Sequence, residues 1–260
     1  MNRIVPCLLV TMLANVLLTF TAKTFADDAT PLQTTSSIVV LNMYYAKPGM
    51  EDEVLQTRQN ASRIRASIGL PRGRILRRIN DADDLPDVLW ECEFPDIAAH
   101  DRDMTARADS DAFEDVRSRM RTVASRFERT LWRVPYPSTP VFITDAGLLT
   151  TALGTNAIVV TNWYFANQGQ EHAVMDHRIH ASVVREQTGG QAGRVFSRVM
   201  DSGFAQSGEL PEVIWQTEIS SLEDRQKDRD SVGSTPEFEA VMDHMGTLLR
   251  KFDRAVWEIQ

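Results

Sequence analysis

The polar residues best suited to chemistry in this chain occur twice, at matching places in two related segments. Residues 38–49 (IVVLNMYYAKPG) recur as residues 158–169 (IVVTNWYFANQG), and such a repeat at a fixed offset predicts a duplicated architecture. Side chains that can orient a ligand or balance its charge keep their places in both copies. The repeated candidates for ligand binding or catalysis are Asn42, Tyr44, Arg58 and Arg65 in the first copy and Asn162, Tyr164, Arg178 and Arg185 in the second.

The repeated arginines lie on an apolar helical stripe, where a charge needs a partner or a wet cavity. Arg58, for example, follows Val54 by four residues. One interpretation is structural: Glu93 and Glu218, the only repeated acids noted near them, neutralise inward arginines within each copy. The other is an anion-binding pocket in which Arg58 or Arg178 holds a carboxylate or phenolate. Arginines outnumber these acids, so both interpretations stay open.

Histidines supply the candidates for proton transfer near pH 7. His177 precedes a stripe arginine and is the first choice, with His100 as its counterpart in the first copy. His172, Asp176 and His180 share the helix with His177, and two imidazoles with a carboxylate could hold a divalent metal. A solvated helix face is the alternative, and it is preferred because the first copy lacks these residues. No metal is therefore predicted.

The elements that must position these residues repeat as well. Each copy shows the order strand, helix, strand, strand, helix, strand, which is typical of a ferredoxin-like α+β unit. Two such sheets placed face to face would bury the face that each leaves open. The first copy is predicted to contain strands 38–46, 74–80, 88–94 and 129–134, with helices 50–68, 96–105 and 112–127.

The domain organisation follows from composition and from the repeat. The predicted segments are a signal peptide (1–26), a flexible lead-in (27–36), the first repeat (37–134), a proline-rich linker (135–156) and the second repeat (157–260). The signal peptide predicts a periplasmic or secreted protein. Beyond it Cys92 is the only cysteine, so stability must come from packing rather than from an intrachain disulfide.

The composition limits the classes of molecule that the protein is expected to bind. The formal net charge is −8, which gives no general affinity for nucleic acid or anionic lipid. We therefore expect no nucleic-acid partner and no stable membrane association once the signal peptide is removed. The expected partner is a small anionic or aromatic molecule.

Two stretches, IVVLNMYYAKPGMEDEV and PDVLWECEFPDIAAHDRDMTARADSDAFEDV, resemble the antibiotic-biosynthesis-monooxygenase type of dimeric α+β barrel. The resemblance rests on the Lys47-Pro48-Gly49 turn, on a tryptophan in the third strand (Trp90 and Trp215) and on His100, whose place Arg225 takes in the second copy. It implies that the tandem ferredoxin-like repeats form a dimeric α+β barrel within one chain, so a monomer is expected. It also implies a ligand between each sheet and its own helices, beside Trp90 and Trp215.

The same resemblance bears on cofactors. The haem-degrading branch of the superfamily has a haem-ligating histidine on the second helix, and Arg117 and Met242 occupy that place here. No haem or other cofactor is therefore expected. The predicted function is a cofactor-independent enzyme, monooxygenase-like or an isomerase or lyase, acting on a small aromatic or conjugated anion. The alternative is a non-catalytic binding or stress-related protein with structural arginines. If only one pocket works, the second is favoured because it contains His177.

Overall fold

The computed structural model of the chain describes residues 37–82, 84–137, 156–199 and 208–260. The predicted signal peptide, the lead-in and linker residues 138–155 lie outside these ranges. Within them, none of the helices is both long and apolar enough to cross a bilayer.

The described residues form eight strands and six helices in two halves with the same order of elements. The N-terminal half contains β1 (Ile38–Ala46), α1 (Glu51–Ser67), β2 (Arg74–Arg78), β3 (Val88–Phe94), α2 (Ile97–Ala108), α3 (Asp111–Val123) and β4 (Ala124–Tyr136). The C-terminal half contains β5 (Ile158–Ala166), α4 (Glu171–Gln187), β6 (Arg194–Arg198), β7 (Val213–Ile219), α5 (Leu222–Ser231), α6 (Pro236–Leu248) and β8 (Leu249–Ile259).

The eight strands close into one antiparallel barrel in the order β1-β3-β2-β8-β5-β7-β6-β4. Each half supplies four consecutive strands, and the seams between the halves are the pairs β2–β8 and β4–β6. Closure leaves no sheet edge open to solvent. The expected α+β fold, a dimeric α+β barrel completed within one chain, is confirmed.

Strand alternation divides the side chains between the barrel interior and the helices. On β1, Val39, Leu41 and Met43 point into the barrel, where they pack with residues of the other half such as Trp163. The intervening residues, among them Tyr44, face the helices of their own half. Every residue of β1 except the last is buried, so the polar side chains on the helix-facing side lie beneath a protein layer.

The bounds of the longest strand, β4, differ from the sequence prediction. The helix expected to end at Phe127 ends at Val123, and β4 continues to Tyr136 instead of stopping at Val134. Pairing explains both differences: Ala124 pairs with Ala46 on β1, and Tyr136 pairs with Val195 on β6. The ladder and the seam therefore override the helical pattern of this segment, and the first two residues of the predicted linker belong to the strand.

Buried charges connect the halves inside the barrel. Arg74 donates to Glu91 at 2.9 Å and also to Glu218 of the other half. Arg194 of the other half donates to Glu91 at 2.9 Å and to Glu93 at 2.7 Å, again across the barrel interior. The expectation that Glu93 and Glu218 neutralise arginines within their own copy is therefore wrong, because the inward faces of the two sheets meet each other. Burial alone would raise the pKa of Glu91, but the two guanidinium groups hold it below its usual range.

Candidate functional site

Each half contains a cavity between the outer face of its sheet and its helices. The cavity of the N-terminal half, called the first cavity below, has a volume of about 590 Å³. The second cavity, in the C-terminal half, has a volume of about 280 Å³. The two share no lining residue. The larger space is thus in the first half, although sequence reasoning favoured the second.

The floor of the first cavity is a polar set on neighbouring strands. Asn42 and Tyr44 come from β1 and Arg129 from β4, all on the helix-facing side. The Asn42 Oδ1 atom accepts a hydrogen bond from Arg129 Nε at 2.8 Å, and its Nδ2 atom donates to the Tyr44 hydroxyl at 3.4 Å. Burial, reinforced by nearby cations such as Arg107, lowers the pKa of Arg129 to about 10. These contacts fix the amide and present a positive floor.

Arg58 reaches into the same cavity from α1. It is 5% exposed, and its Nη2 atom donates to Ser62 Oγ at 3.1 Å. The Nη1 atom lies 3.5 Å from the Tyr44 hydroxyl, and the guanidinium stands 4.7 Å above the Trp90 ring. Within the described residues Arg58 Nε has no hydrogen-bond partner and no carboxylate pairs with the group. Burial lowers the pKa of Arg58, so an anion entering the cavity would relieve an unbalanced charge.

Arg65 and Trp90 support the site but do not line it. The Arg65 guanidinium forms an ion pair with Asp103 on α2. Its Nη1 atom donates to Oδ2 at 3.2 Å, and its Nη2 atom donates to Oδ1. Trp90 lies 4.7 Å from this guanidinium as well, and its Nε1 atom donates to the Arg72 carbonyl at 2.8 Å. Neither Arg65 nor Trp90 is among the residues that line the first cavity, and their contact with a substrate stays a prediction. Asp103 was missed, although Asp228 repeats it in the second half.

Apolar side chains and further arginines form the walls and mouth of the first cavity. Phe113 and Val116 pack there with Ala61, while the tilted ring of Phe127 packs against Tyr44 with ring centroids 5.1 Å apart. The additional arginines that line the cavity are Arg107, Arg117, Arg121 and Arg126. No histidine or carboxylate of the described residues lines it. The cavity therefore combines an apolar middle with an arginine-rich boundary, in which Arg107 pairs with Asp103 while Arg117 and Arg121 pair with Glu114.

The predicted proton-transfer residues lie elsewhere. His100 is buried against Phe94, with ring centroids 5.6 Å apart, and its Nδ1 atom is 3.1 Å from Asp101 Oδ1. Burial lowers its pKa. The Nε2 atom of His177 is 2.8 Å from the Val241 carbonyl on α6. Neither residue lines the first or the second cavity. For His177 the cause is helical geometry, because successive residues are rotated by about 100° and it therefore faces α6 while Arg178 faces the sheet.

The other members of the predicted histidine cluster are solvent-exposed. His172, Asp176 and His180 all lie on the outer surface of α4. Across the residues that the structure describes, no three His, Cys, Asp or Glu side chains converge in a way that could hold a metal ion.

The second cavity repeats the polar floor of the first. Asn162 Oδ1 accepts from Arg254 Nε at 2.7 Å, and Asn162 Nδ2 donates to the Tyr164 hydroxyl at 3.2 Å. Tyr164 itself does not line the cavity. Arg178 donates to Ser182 Oγ at 3.1 Å and lies 4.9 Å from the Trp215 ring. The floor arginines of both halves were missed by sequence reasoning.

The sequence predicted one of two arginines in this cavity, Arg185, but not the other, Arg254. Arg185 donates to both carboxylate oxygens of Asp228 at 2.8 Å and lies 5.0 Å from Trp215. Both Arg185 and Trp215 line the cavity, and their role in ligand binding stays a prediction. Arg129 and Arg254 could have been found, because the pattern Phe-acid-Arg recurs at Phe127 and Phe252 on the last strand of each half.

No protein-family model and no curated protein matches the chain. Solved structures share its fold. An anthrone oxidase-like protein superposes with a TM-score of 0.60 at 11% identity, covering 88% of this chain and 92% of that one. A proposed monooxygenase from Fusobacterium nucleatum gives 0.56 at 11% identity, covering 86% and 93%, and another from Lactobacillus acidophilus gives 0.51 at 10%, covering 86% and 94%. These likenesses establish the class of fold, a dimeric α+β barrel with both sheets in one chain, since at such identities function is a separate question.

Proposed function

We propose that the protein binds a small aromatic or otherwise conjugated anion in the first cavity and acts on it as a cofactor-independent, monooxygenase-like enzyme. The observation that carries this proposal is the buried Arg58 guanidinium, which lines an apolar cavity of about 590 Å³ without a carboxylate partner among the described residues. Apolar pockets with a few fixed polar groups are typical of small-molecule sites. A conjugated anion supplies both the apolar body and the missing negative charge.

The chemistry would rest on keeping the bound molecule ionised. A carboxylate or phenolate facing Arg58 would gain charge-assisted hydrogen bonds in a desolvated setting. The Asn42–Arg129 pair, held at 2.8 Å, would orient the rest of the molecule. A stabilised phenolate or enolate is electron-rich, so its oxygenation, isomerisation or cleavage would depend chiefly on orientation. The solved neighbours described as oxidase-like or as monooxygenases are consistent with this class of reaction.

Binding is tested by exchanging matched arginines for methionine. Benzoate and its neutral analogue benzamide are titrated by calorimetry into the wild type, Arg58→Met and Arg178→Met. We expect benzoate to bind more tightly than benzamide, and Arg58→Met to weaken benzoate at least about tenfold because a charged hydrogen-bond donor is lost. Arg178→Met, the equivalent change in the other half, should leave benzoate binding unchanged. Equal binding of benzoate and benzamide, or equal effects of the two variants, would contradict the proposal.

A non-catalytic binding protein is the second candidate, and one observation favours it. The part of the first cavity that the structure describes has no histidine or carboxylate to accept a proton. Oxygen uptake with a panel of phenols, followed by mass spectrometry of the recovered compounds, separates the two candidates. Turnover that is lost in Arg58→Met supports the enzyme, whereas phenols recovered unchanged from saturated protein support the binding role.

The proposed setting is a periplasmic or secreted monomer. The basis for the location is the leader-like sequence of residues 1–26. The basis for the monomer is the barrel, which is closed by one chain and presents no free strand edge. Light scattering should give the mass of one chain, and an obligate dimer would refute this assignment.

A further inference from the structure

The second cavity differs from the first in the charges that its helix supplies. On α5, Arg225 and Arg229 stand where α2 of the N-terminal half has His100 and Met104. Both arginines line the second cavity. A threonine, Thr217, also lines it where the first half has an apolar cysteine. The wall between helix and sheet has therefore become cationic and polar.

Two more arginines meet this wall from the opposite side. Arg178 is 1% exposed, and its Nε atom has no hydrogen-bond partner among the described residues. Arg254 uses its Nε atom to hold Asn162. Both line the cavity. Four guanidinium groups, besides that of Arg185, thus line a space of about 280 Å³.

The charges around this space are not balanced by the protein. Asp228 is the one carboxylate among the described lining residues, and Arg185 engages both of its oxygens at 2.8 Å. Within the described ranges Arg178, Arg225, Arg229 and Arg254 make no ion pair. Burial lowers the pKa of Arg254, and the neighbouring Arg225 and Arg229 lower it further. Such a cluster is stabilised when an anion enters it.

We propose that the second cavity is a binding site for a multiply charged oxyanion of the phosphate class. Several guanidinium forks can share the oxygens of one phosphate group, which matches the planar donor geometry of arginine. The cavity has about half the volume of the first and suits a compact, highly charged group better than an extended aromatic body. This inference does not depend on the function proposed for the first cavity.

Inorganic phosphate and phenyl phosphate are the probes, titrated by calorimetry into the full chain at pH 7.5 with chloride matching the ionic strength. We expect saturable binding of phosphate that weakens as salt is added. The double variant Arg225→Gln/Arg229→Gln should weaken it at least about tenfold, since two charge-assisted bonds are lost. Both probes are also titrated into Arg58→Met, whose first cavity lacks its unpaired arginine, and the probe that binds this variant more tightly tells free phosphate from a phosphate ester as the source of the group.

The matched control removes the same charge elsewhere. Arg63 and Arg102 are exposed on helices of the other half, so Arg63→Gln/Arg102→Gln should leave phosphate affinity unchanged. Arg229→Gln alone, at an exposed position, provides a variant whose folding is not at risk and should weaken binding by several-fold. Phosphate that does not bind above the chloride background, or that binds equally to the wild type and to Arg225→Gln/Arg229→Gln, would overturn the proposal. The same result in both double variants would also overturn it, because it would indicate a general charge effect.

Discussion

Replacing Arg74 by methionine should destabilise the protein far more than the same change at Arg77 on the same strand. Arg74 is 2% exposed and pairs with Glu91, which is fully buried, and with Glu218 of the other half. Arg77 is 41% exposed and pairs with Asp52, which is 68% exposed. Removing one partner of a buried pair costs about 3–5 kcal/mol, whereas an exposed pair contributes about 0–1 kcal/mol.

These free energies convert into melting temperatures. For a domain of this size 1 kcal/mol corresponds to about 2–4 °C, so Arg74→Met should lower the midpoint by roughly 6–20 °C and Arg77→Met by at most about 4 °C. Differential scanning calorimetry at pH 7 measures both. Equal shifts would refute the reasoning, because they would mean that burial of the Arg74 network has no energetic consequence.

The pH dependence of the melting temperature tests why Arg74→Met loses stability. In the wild type the pKa of Glu91 is depressed, so its stabilising contribution is present above its unfolded value of about 4.3 and is lost as the pH falls through the folded value. In Arg74→Met the Glu91 carboxylate keeps Arg194 and Gln216 but loses one of its two guanidinium partners in a buried site. Its pKa therefore rises, and the penalty is full at neutral pH and shrinks on acidification. The difference in melting temperature between the wild type and Arg74→Met should therefore become smaller from pH 7 to pH 5. A difference that stays constant with pH would show that the loss of stability comes from packing and not from the charge of Glu91.

Three further changes have expected outcomes. Gly73→Ala should lower the melting temperature more than Gly69→Ala, because a Cβ at Gly73 would lie 2.2 Å from Trp90 Nε1, whereas a Cβ at Gly69 would meet no atom within 4 Å. Both glycines have positive φ, so a backbone strain of about 1–2 kcal/mol is common to the two variants. Equal shifts in melting temperature would contradict the predicted clash with Trp90. Cys92 is buried with its pKa raised to about 12, so iodoacetamide at pH 8 should label it at least about a hundredfold more slowly in the folded than in the unfolded protein, and rapid native labelling measured by mass spectrometry would disprove its burial. His177→Gln should leave the affinities for benzoate and phosphate within about twofold of the wild-type values, since the His177 ring bonds to a carbonyl of the neighbouring helix. A large loss of either affinity by calorimetry would mean that His177 takes part in binding.

Much of the fold could be predicted from the sequence because local patterns encode it. The β-branched and aromatic run of residues 38–46 predicted a strand covered on both faces, and β1 has these bounds. The predicted helix 50–68 corresponds to α1 at Glu51–Ser67. Asn42 and Arg58 were singled out because they recur and because helical and strand spacing place them on the covered faces; both line the first cavity.

Long-range pairing explains what the sequence did not indicate. That Glu218 binds Arg74 rather than an arginine of its own half depends on which inward side chains meet across the closed barrel, and no local period contains that information. The volumes of the cavities depend on side chains from four elements, so the larger first cavity could not be inferred from His177. Whether the two halves arose by duplication stays a prediction, supported here by their common order of elements.

The arrangement of the barrel allows the two cavities to differ while the halves remain joined. The charges inside the barrel are shared between the halves across its interior, so a change at Arg74 affects both halves. Each outer cavity is lined only by its own half, so a change at Arg58 meets no residue of the second cavity. Changes without shared partners are additive to within about 0.5 kcal/mol. The combination of Arg58→Met with Arg225→Gln should therefore weaken benzoate and phosphate by the same factors as the single changes, whereas coupling beyond about twofold between the ligands would mean that the barrel transmits occupancy from one half to the other.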